Sequence, residues 1–367
     1  MSLSIGIVGL PNVGKSTLFN ALIRNKMALA ANYPFATVDP NVGIVEVPDE
    51  RLQKLIAVEA PQKIIPAVVE FHDIAGLVKG ASTGEGLGNQ FLGNIRECDA
   101  ILHVLRCFDD PNVVHVDGQI NPVRDKETID FELQLKDLDT IEKKMKGVEK
   151  AAKVGTDKDA KKTYEIYQTL KAHLEKGLSA RSAELSEDEW KMVSDLWLLT
   201  SKPVMYVCNV DEGSVVNGNN HVAAVRESVK NENAEILIIA AAIEADITEL
   251  ESFDDRKAFL SDLGLEESGV TKLIKSAYQL LKLQTYFTAG VKEVRAWTIH
   301  EGMTAPQAAG VIHTDFEKGF IRAEVIHYDD FITYGSESAC RDAGKLAIEG
   351  KEYIVQDGDL MHFRFNV

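Results

Sequence analysis

Positive charge, cysteine and long apolar runs are all scarce in this chain. Its 367 residues carry 40 Lys and Arg against 57 Asp and Glu, a net charge of −17. So acidic a chain excludes general electrostatic adhesion to nucleic acid, and DNA is not an expected partner. A local basic patch is still compatible with it. The only cysteines are Cys98, Cys107, Cys208 and Cys340, far apart and without metal-ligand spacing. A disulfide framework is thereby excluded. Three of the four lie in apolar runs, which fits reduced, buried thiols in a cytosolic protein. The longest apolar run, residues 236–243, is far too short to span a bilayer, so no membrane partner is expected. The N-terminus leads into a strand-like run with no basic region and no cleavage site, and a cytoplasmic location is the expectation.

What is present is a complete phosphate-binding signature. Residues 9–16 read Gly-Leu-Pro-Asn-Val-Gly-Lys-Ser, matching G-x-x-x-x-G-K-[ST]. The apolar run 3–8 precedes it and a helix-like stretch, 17–24, follows. Such a loop aims backbone N–H groups and a helix N-terminus at a β-phosphate. Asn12, Val13, Gly14, Lys15, Ser16 and Thr17 are the candidate nucleotide contacts. Gly9 and Gly14 are expected to supply the backbone angles of the wrap. Lys15 brings a point charge to the β- and γ-phosphates, where it also serves catalysis, and Ser16 offers a hydroxyl to Mg²⁺.

Strand-like runs at 3–8, 67–72, 100–106, 204–208 and 235–240 alternate with helical stretches. The spacing predicts an α/β fold, a doubly wound P-loop sheet. An interruption at 128–199 is helical and polar. Gln134, Leu138, Ile141, Met145, Val148 and Ala152 form a seam at steps of four and three. A second helix is expected at 163–177, with Tyr164, Tyr167, Leu170 and Leu174 on one side. A third, carrying Trp190 and Trp197, follows a capping box of Ser186 and Glu189. The interruption reads as an inserted helical hairpin. Between Lys136 and Lys176 it holds eleven lysines and eight acidic residues, a local excess of positive charge. Those lysines are either a solvated, ion-paired helix surface or an arm for an RNA-containing partner. From 283 the chain reads as a separate α+β module with strands at 286–288, 294–298, 320–327, 352–355 and 360–365 and helices at 305–312 and 331–334. The expected division is 1–127 and 200–282 for the nucleotide domain, 128–199 for the insert and 283–367 for the last module.

Asp73 and Gly76 form a D-x-x-G at the end of the run 67–72. The carboxylate there can hold the water shell of Mg²⁺, and Gly76 N–H can sense the γ-phosphate. Between the two motifs lies 32–43, where Thr37 is either a second Mg²⁺ hydroxyl or a plain turn residue. The glycine-rich stretch 77–90 reads as a segment that reshapes with the nucleotide. Leu77 follows Gly76 where many GTPases carry a water-orienting glutamine, and it has no polar group for that task. The base-reading segment departs too. Asn209, Val210, Asp211 and Glu212 stand where a GTPase shows Asn-Lys-x-Asp, and Ala240 opens a second base loop in which serine is common. Asn209 and Val210 remain candidate base contacts, with adenine favoured over guanine. His72 and His103, within apolar runs, read as satisfied core residues.

These segments, with 106–122 and the C-terminal module, closely resemble the YchF / Obg-like ATPase family of the Obg branch of translation-factor GTPases along essentially the full length. The resemblance implies ATP preferred over GTP and association with the ribosome or a subunit, through rRNA and protein. It implies a C-terminal TGS-like β-grasp domain. It makes His115 a candidate for orienting the attacking water in place of Leu77, the alternative being that His115 only packs. It also matches Asn12 to an asparagine associated with potassium-stimulated members of the wider class, so K⁺ joins Mg²⁺ among the implied ions. The expected activity is hydrolysis of ATP to ADP and phosphate. The alternatives are a GTPase of the same fold and a nucleotide-gated binding protein with negligible turnover.

Overall fold

A computed structural model describes residues 3–25, 41–74, 76, 87–115, 118–154 and 157–366, with backbone alone at 87–89 and 154. Thr37, Leu77 and most of the stretches 32–43 and 77–90 lie outside the described residues.

The chain divides into two compact units. One is built chiefly from Phe71–Val270 with Met1–Leu22 and Asn41–Gly43, the other from Ile44–Glu70 and Thr271–Val367. The segment 44–70 therefore groups with the C-terminal module, although in sequence it reads as part of the nucleotide domain. It contributes helix α2 (Glu50–Glu59) and strand β3 (Lys63–Ile65), which pairs in parallel with β9 (Glu293–His300). β3 was not anticipated, because three residues give too little pattern to read.

The first sheet has the order β2-β4-β1-β5-β6-β7. Its strands are β1 (Ser4–Val8), β2 (Val42–Glu46), β4 (Val68–Asp73), β5 (Ala100–Arg106), β6 (Val204–Asn209) and β7 (Ile236–Ile239). β1, β5, β6 and β7 are parallel neighbours. All residues of β1, β5 and β6 are buried, as expected of strands covered on both faces. Helices α1 (Lys15–Arg24), α3 (Leu87–Glu97), α7 (Asn220–Val229), α8 (Ala241–Glu249), α9 (Phe253–Asp262) and α10 (Gly269–Leu280) complete the α/β pattern.

The interruption is a helical hairpin of α4 (Pro122–Val154) and α5 (Lys158–Leu174), followed by the short α6 (Glu187–Met192). α4 begins six residues before the predicted boundary at 128. Pro122 in the first turn, with Asp125 behind it, is a helix-start signature that the seam from Gln134 overshadows. Ile141, Ile166, Tyr167, Leu170 and Leu174 form the hairpin core, with Leu138, Met145 and Val148 packed around it. Gln134, the polar member of the seam, is buried and donates to Gly177 O at 3.1 Å. The capping box of Ser186 and Glu189 forms as read. Trp197 does not ride on that helix. It follows a 3-10 turn, in the left-handed region at φ 48°, and is 65% exposed.

The hairpin is rooted in buried polar contacts. Asp137 accepts from Leu199 N, Thr200 N and Thr200 Oγ1 at 2.6–2.7 Å. Lys126 reaches Asp130 at 2.7 Å and Glu232 at 2.6 Å, and the Tyr206 hydroxyl donates to Glu232 at 2.6 Å. Burial works to raise the Glu232 pKa, but the Lys126 and Tyr206 hydrogen bonds outweigh it and hold the carboxyl below its usual range. His103 lies against Tyr206, with ring centroids 5.6 Å apart. It is not the satisfied core histidine expected: its Nε2 has no hydrogen-bond partner among the described residues, and burial lowers its pKa to about 4.

The second sheet is mixed, in the order β11-β10-β12-β8-β9-β3. β8 (Leu283–Thr288) and β9 make a hairpin, β10 (Phe320–Ile326) pairs antiparallel with β12 (Leu360–Phe365), and β12 runs parallel to β8. Helix α11 (Ala305–Ile312) presses Ala305, Ala308 and Ala309 onto Tyr286, Ile299, Phe320 and Phe363, which is the β-grasp arrangement. The short helices α12 (Thr314–Lys318), α13 (Tyr328–Tyr334) and α14 (Glu337–Asp342) fill the connections. The strand expected at 352–355 is absent. Val355 N and Tyr353 O bond to Met303 O and Ala305 N, which makes an isolated antiparallel bridge between Ile354 and Thr304 and not a strand. At one edge lies β11 (Ala347–Glu349), whose three residues give too short a run to read.

Candidate functional site at the strand ends of the first sheet

Four strand C-termini of the first sheet converge on the phosphate loop, the usual ligand edge of an open parallel sheet. β1 delivers the loop, which enters α1 at Lys15, and Leu18 N donates to Gly14 O at 3.0 Å to close the first helical turn. The two glycines serve different ends. Gly14 has φ 90°, and a Cβ there would collide with the Asn209 amide. Gly9 has no positive φ, contrary to expectation. It is needed for space, since a Cβ would stand 2.8 Å from Val104 O. Asn12 takes the left-handed region at φ 62°, which asparagine tolerates better than most residues.

Asp73 ends β4, and Ile74 N donates to Ile7 O at 3.2 Å, tying the D-x-x-G to β1. The Asp73 carboxylate accepts from Lys15 Nζ on one oxygen and from Ser16 Oγ, at 3.1 Å, on the other. Lys15 is only 9% exposed. Gly76 lies against Pro11 of the loop, with its Cβ position 3.4 Å from the ring. An ammonium, a hydroxyl and a carboxylate thus meet at a helix N-terminus. This donor set suits phosphate oxygens and a hard cation shared with them. Among the described residues no cluster of three or more His, Cys, Asp or Glu forms a metal site of its own.

Val13 is buried and turns its carbonyl to Asn209 Nδ2 at 2.8 Å, whereas Thr17 is exposed. Asn209 ends β6 and works in two directions, because its Oδ1 also accepts from Ala241 N at 2.9 Å. Ala240 has no side chain to cap α8, and Asn209 supplies that cap from the neighbouring strand. Asn209 is therefore a tie between the phosphate loop and the second base loop. Val210 is 4% exposed and its N–H bonds Ile239 O, which places its side chain in the core. Glu212 is exposed, at the start of a 3-10 turn.

His115 is brought close to the loop by sequence neighbourhood and turned away from solvent by its partner. Asn12 Nδ2 donates to Val114 O at 3.1 Å. One residue later, His115 Nε2 lies 2.8 Å from Asp125 Oδ2 in the first turn of α4. Two site residues went unread in the sequence. Arg106, buried at the end of β5, donates to Phe108 O, Asp110 O and Val113 O at 2.9–3.3 Å and so shapes the loop before His115. A guanidinium closing a mainly apolar strand is the signal that marks it. Asp125 is the other, hidden by the late placement of α4.

Two family models match: residues 4–146 match one described as 50S ribosome-binding GTPase, and residues 283–366 match the model for the C-terminal part of YchF GTPases, described as a protein of unknown function. A relative from Bacillus subtilis (strain 168), named ribosome-binding ATPase YchF, is 56% identical, with all of both chains covered. The protein of the same name from Escherichia coli O157:H7 is 54% identical over all of both chains. The solved structure of the Schizosaccharomyces pombe YchF GTPase superposes with a TM-score of 0.90 at 40% identity, covering 99% of this chain and 98% of that one. A GTP binding protein from Pyrococcus horikoshii OT3 shares the fold, with a TM-score of 0.60 at 18% identity. With the phosphate loop, the acid at the end of β4, the inserted hairpin and the C-terminal β-grasp module all in place, the chain belongs to the YchF family.

Proposed function

We propose that this chain is a ribosome-associated nucleoside triphosphate hydrolase of the cytoplasm, a switch that hydrolyses ATP to ADP and phosphate and prefers ATP to GTP. The carrying observation is the Asp73 carboxylate shared between Lys15 and Ser16. On binding a triphosphate, the Lys15 ammonium moves from the carboxylate to the β- and γ-phosphate oxygens, where it stabilises charge during transfer. Ser16 and Asp73, with Thr37, would hold Mg²⁺, which supplies charge neutralisation on the phosphates. Asn12 would hold K⁺, which would add positive charge beside the phosphates.

The adenine preference is assigned to Glu212 and not to Asn209. Asn209 is committed to two backbone partners, and Glu212 is one methylene longer than the aspartate that reads guanine. The ribosome, through rRNA and protein, enters as partner from the relatives' names and from the lysine excess on the insert. A binding protein with slow intrinsic turnover is the second reading, favoured by the engagement of His115 with Asp125. Calorimetric titration with ATP and GTP, followed by single-turnover hydrolysis with and without ribosomes, tests both. ATP binding with ribosome-stimulated cleavage is expected. Equal affinity for GTP ends the adenine preference, and a flat time course with ribosomes ends the hydrolase.

A further inference from the structure

The loop between β5 and α4 is fastened at three points of different kinds. Arg106 shapes its first half through three carbonyls. Asn12 of the phosphate loop holds Val114 O through an exposed hydrogen bond. His115 and Asp125 form a sealed pair, with side chains 5% and 2% exposed. Asp125 is fixed further by Arg124 Nη2 at 3.3 Å and through its own N–H to Asn121 O at 3.0 Å. Consecutive residues thus join the phosphate loop on one side and the first turn of the inserted helix on the other.

With its side chain 5% exposed and its Nε2 on Asp125, His115 does not meet an attacking water in this arrangement. The pair must part before His115 can act, and parting frees the first turn of α4. Breaking a buried hydrogen bond to a carboxylate is costly, so the closed arrangement is the resting one. We infer that Asp125 is a positioning residue that holds His115 withdrawn, so that its release couples ATP turnover to the head of the inserted helix. This rests on the ATPase reading above. A partner that pulls on the hairpin weakens the pair from the α4 side. A nucleotide that engages Asn12 alters the hold on Val114 from the other.

Asp125→Asn removes the charge and keeps the shape, Asp125→Glu keeps the charge, and thermal denaturation shows whether each variant of the full chain is folded. In Asp125→Asn, kcat without ribosomes is expected to rise roughly three- to tenfold with KM for ATP nearly unchanged, and ribosome stimulation to shrink by a similar factor. Diethyl pyrocarbonate should label His115 faster, read by peptide mass. Asp125→Glu should restore the slow labelling and turnover, and adding His115→Ala to Asp125→Asn should abolish the gain. A merely structural aspartate would lower the melting temperature and leave labelling and kcat alone. Unchanged or reduced turnover in folded Asp125→Asn, or unchanged labelling, overturns the inference while the ATPase reading stands. A wild-type chain that cleaves no ATP, with or without ribosomes, ends that reading and the coupling together.

Discussion

Asp73 at the end of β4 and Asp359 before β12 are both acids at the edge of a six-stranded sheet, and they are used in opposite ways. Asp359 is 1% exposed and spends its oxygens on His327 Nδ1, the Tyr353 hydroxyl and Gln356 N, at 2.7–2.9 Å. All three partners come from its own fold, and none would leave for a ligand. Asp73 is bonded by Lys15 and Ser16, two groups whose chemistry suits phosphate and metal better than a carboxylate. The first acid closes a structure. The second, in the proposed function, gives up its partners to a ligand. Partners, more than burial or position in a sheet, separate an architectural acid from a working one.

The sharpest way to break this comparison is Lys15→Ala. Loss of a charge-assisted contact to the phosphates should weaken ATP binding by about 3 kcal/mol, roughly 100-fold, with little change in melting. Near-normal affinity by calorimetry would place Lys15 with the architectural groups. The mirror experiment is Asp359→Ala. It removes three hydrogen bonds to partners that water can still reach and should cost about 2 kcal/mol of unfolding free energy, with ATP affinity unchanged. Weakened ATP binding in the folded variant would contradict its purely structural role.

His103 sharpens the comparison through pH. Its imidazole titrates near 4 in the fold against an ordinary 6.5. The unfolded chain therefore takes up the proton first. The stability associated with the neutral ring is complete above 6.5 and is lost as pH falls from 6.5 towards 4, by up to about 3 kcal/mol. Urea midpoints measured across that window should fall steeply for wild type and less steeply for His103→Leu. Parallel slopes would sink the assignment. The smallest effect concerns the base. ATP should bind tighter than GTP by roughly 1 kcal/mol, about one hydrogen bond, and Glu212→Asp should narrow the gap. A gap unmoved by that change would take Glu212 out of the discrimination. Val210 is a poor place to test it, since a lysine there would be buried.

The phosphate loop, the acid at 73 and the helical insert were legible because each carries a periodic or fixed-spacing signal with strong geometric demands. β5 matches its predicted run residue for residue, and α11 does as well. What escaped was whatever depends on contacts distant in sequence. Nothing local says that Asn209 must cap α8, that 63–65 adds a strand to the second sheet, or that Asp125 pairs with His115. The false strand at 352–355 has the same origin: apolar side chains reveal burial, while the direction of the backbone hydrogen bonds is set elsewhere.

The length of α4 gives the His115–Asp125 pair a mechanical meaning. At 33 residues the helix is a rigid rod of about 50 Å, so a tilt of only 5° at its first turn would carry the far end through about 4 Å. The pair sits beside the fulcrum and the hairpin tip is the long arm. On the coupling inferred above, a displacement too small to see at the nucleotide would become a stroke at the tip, and a modest load at the tip would be multiplied into a large force on the pair.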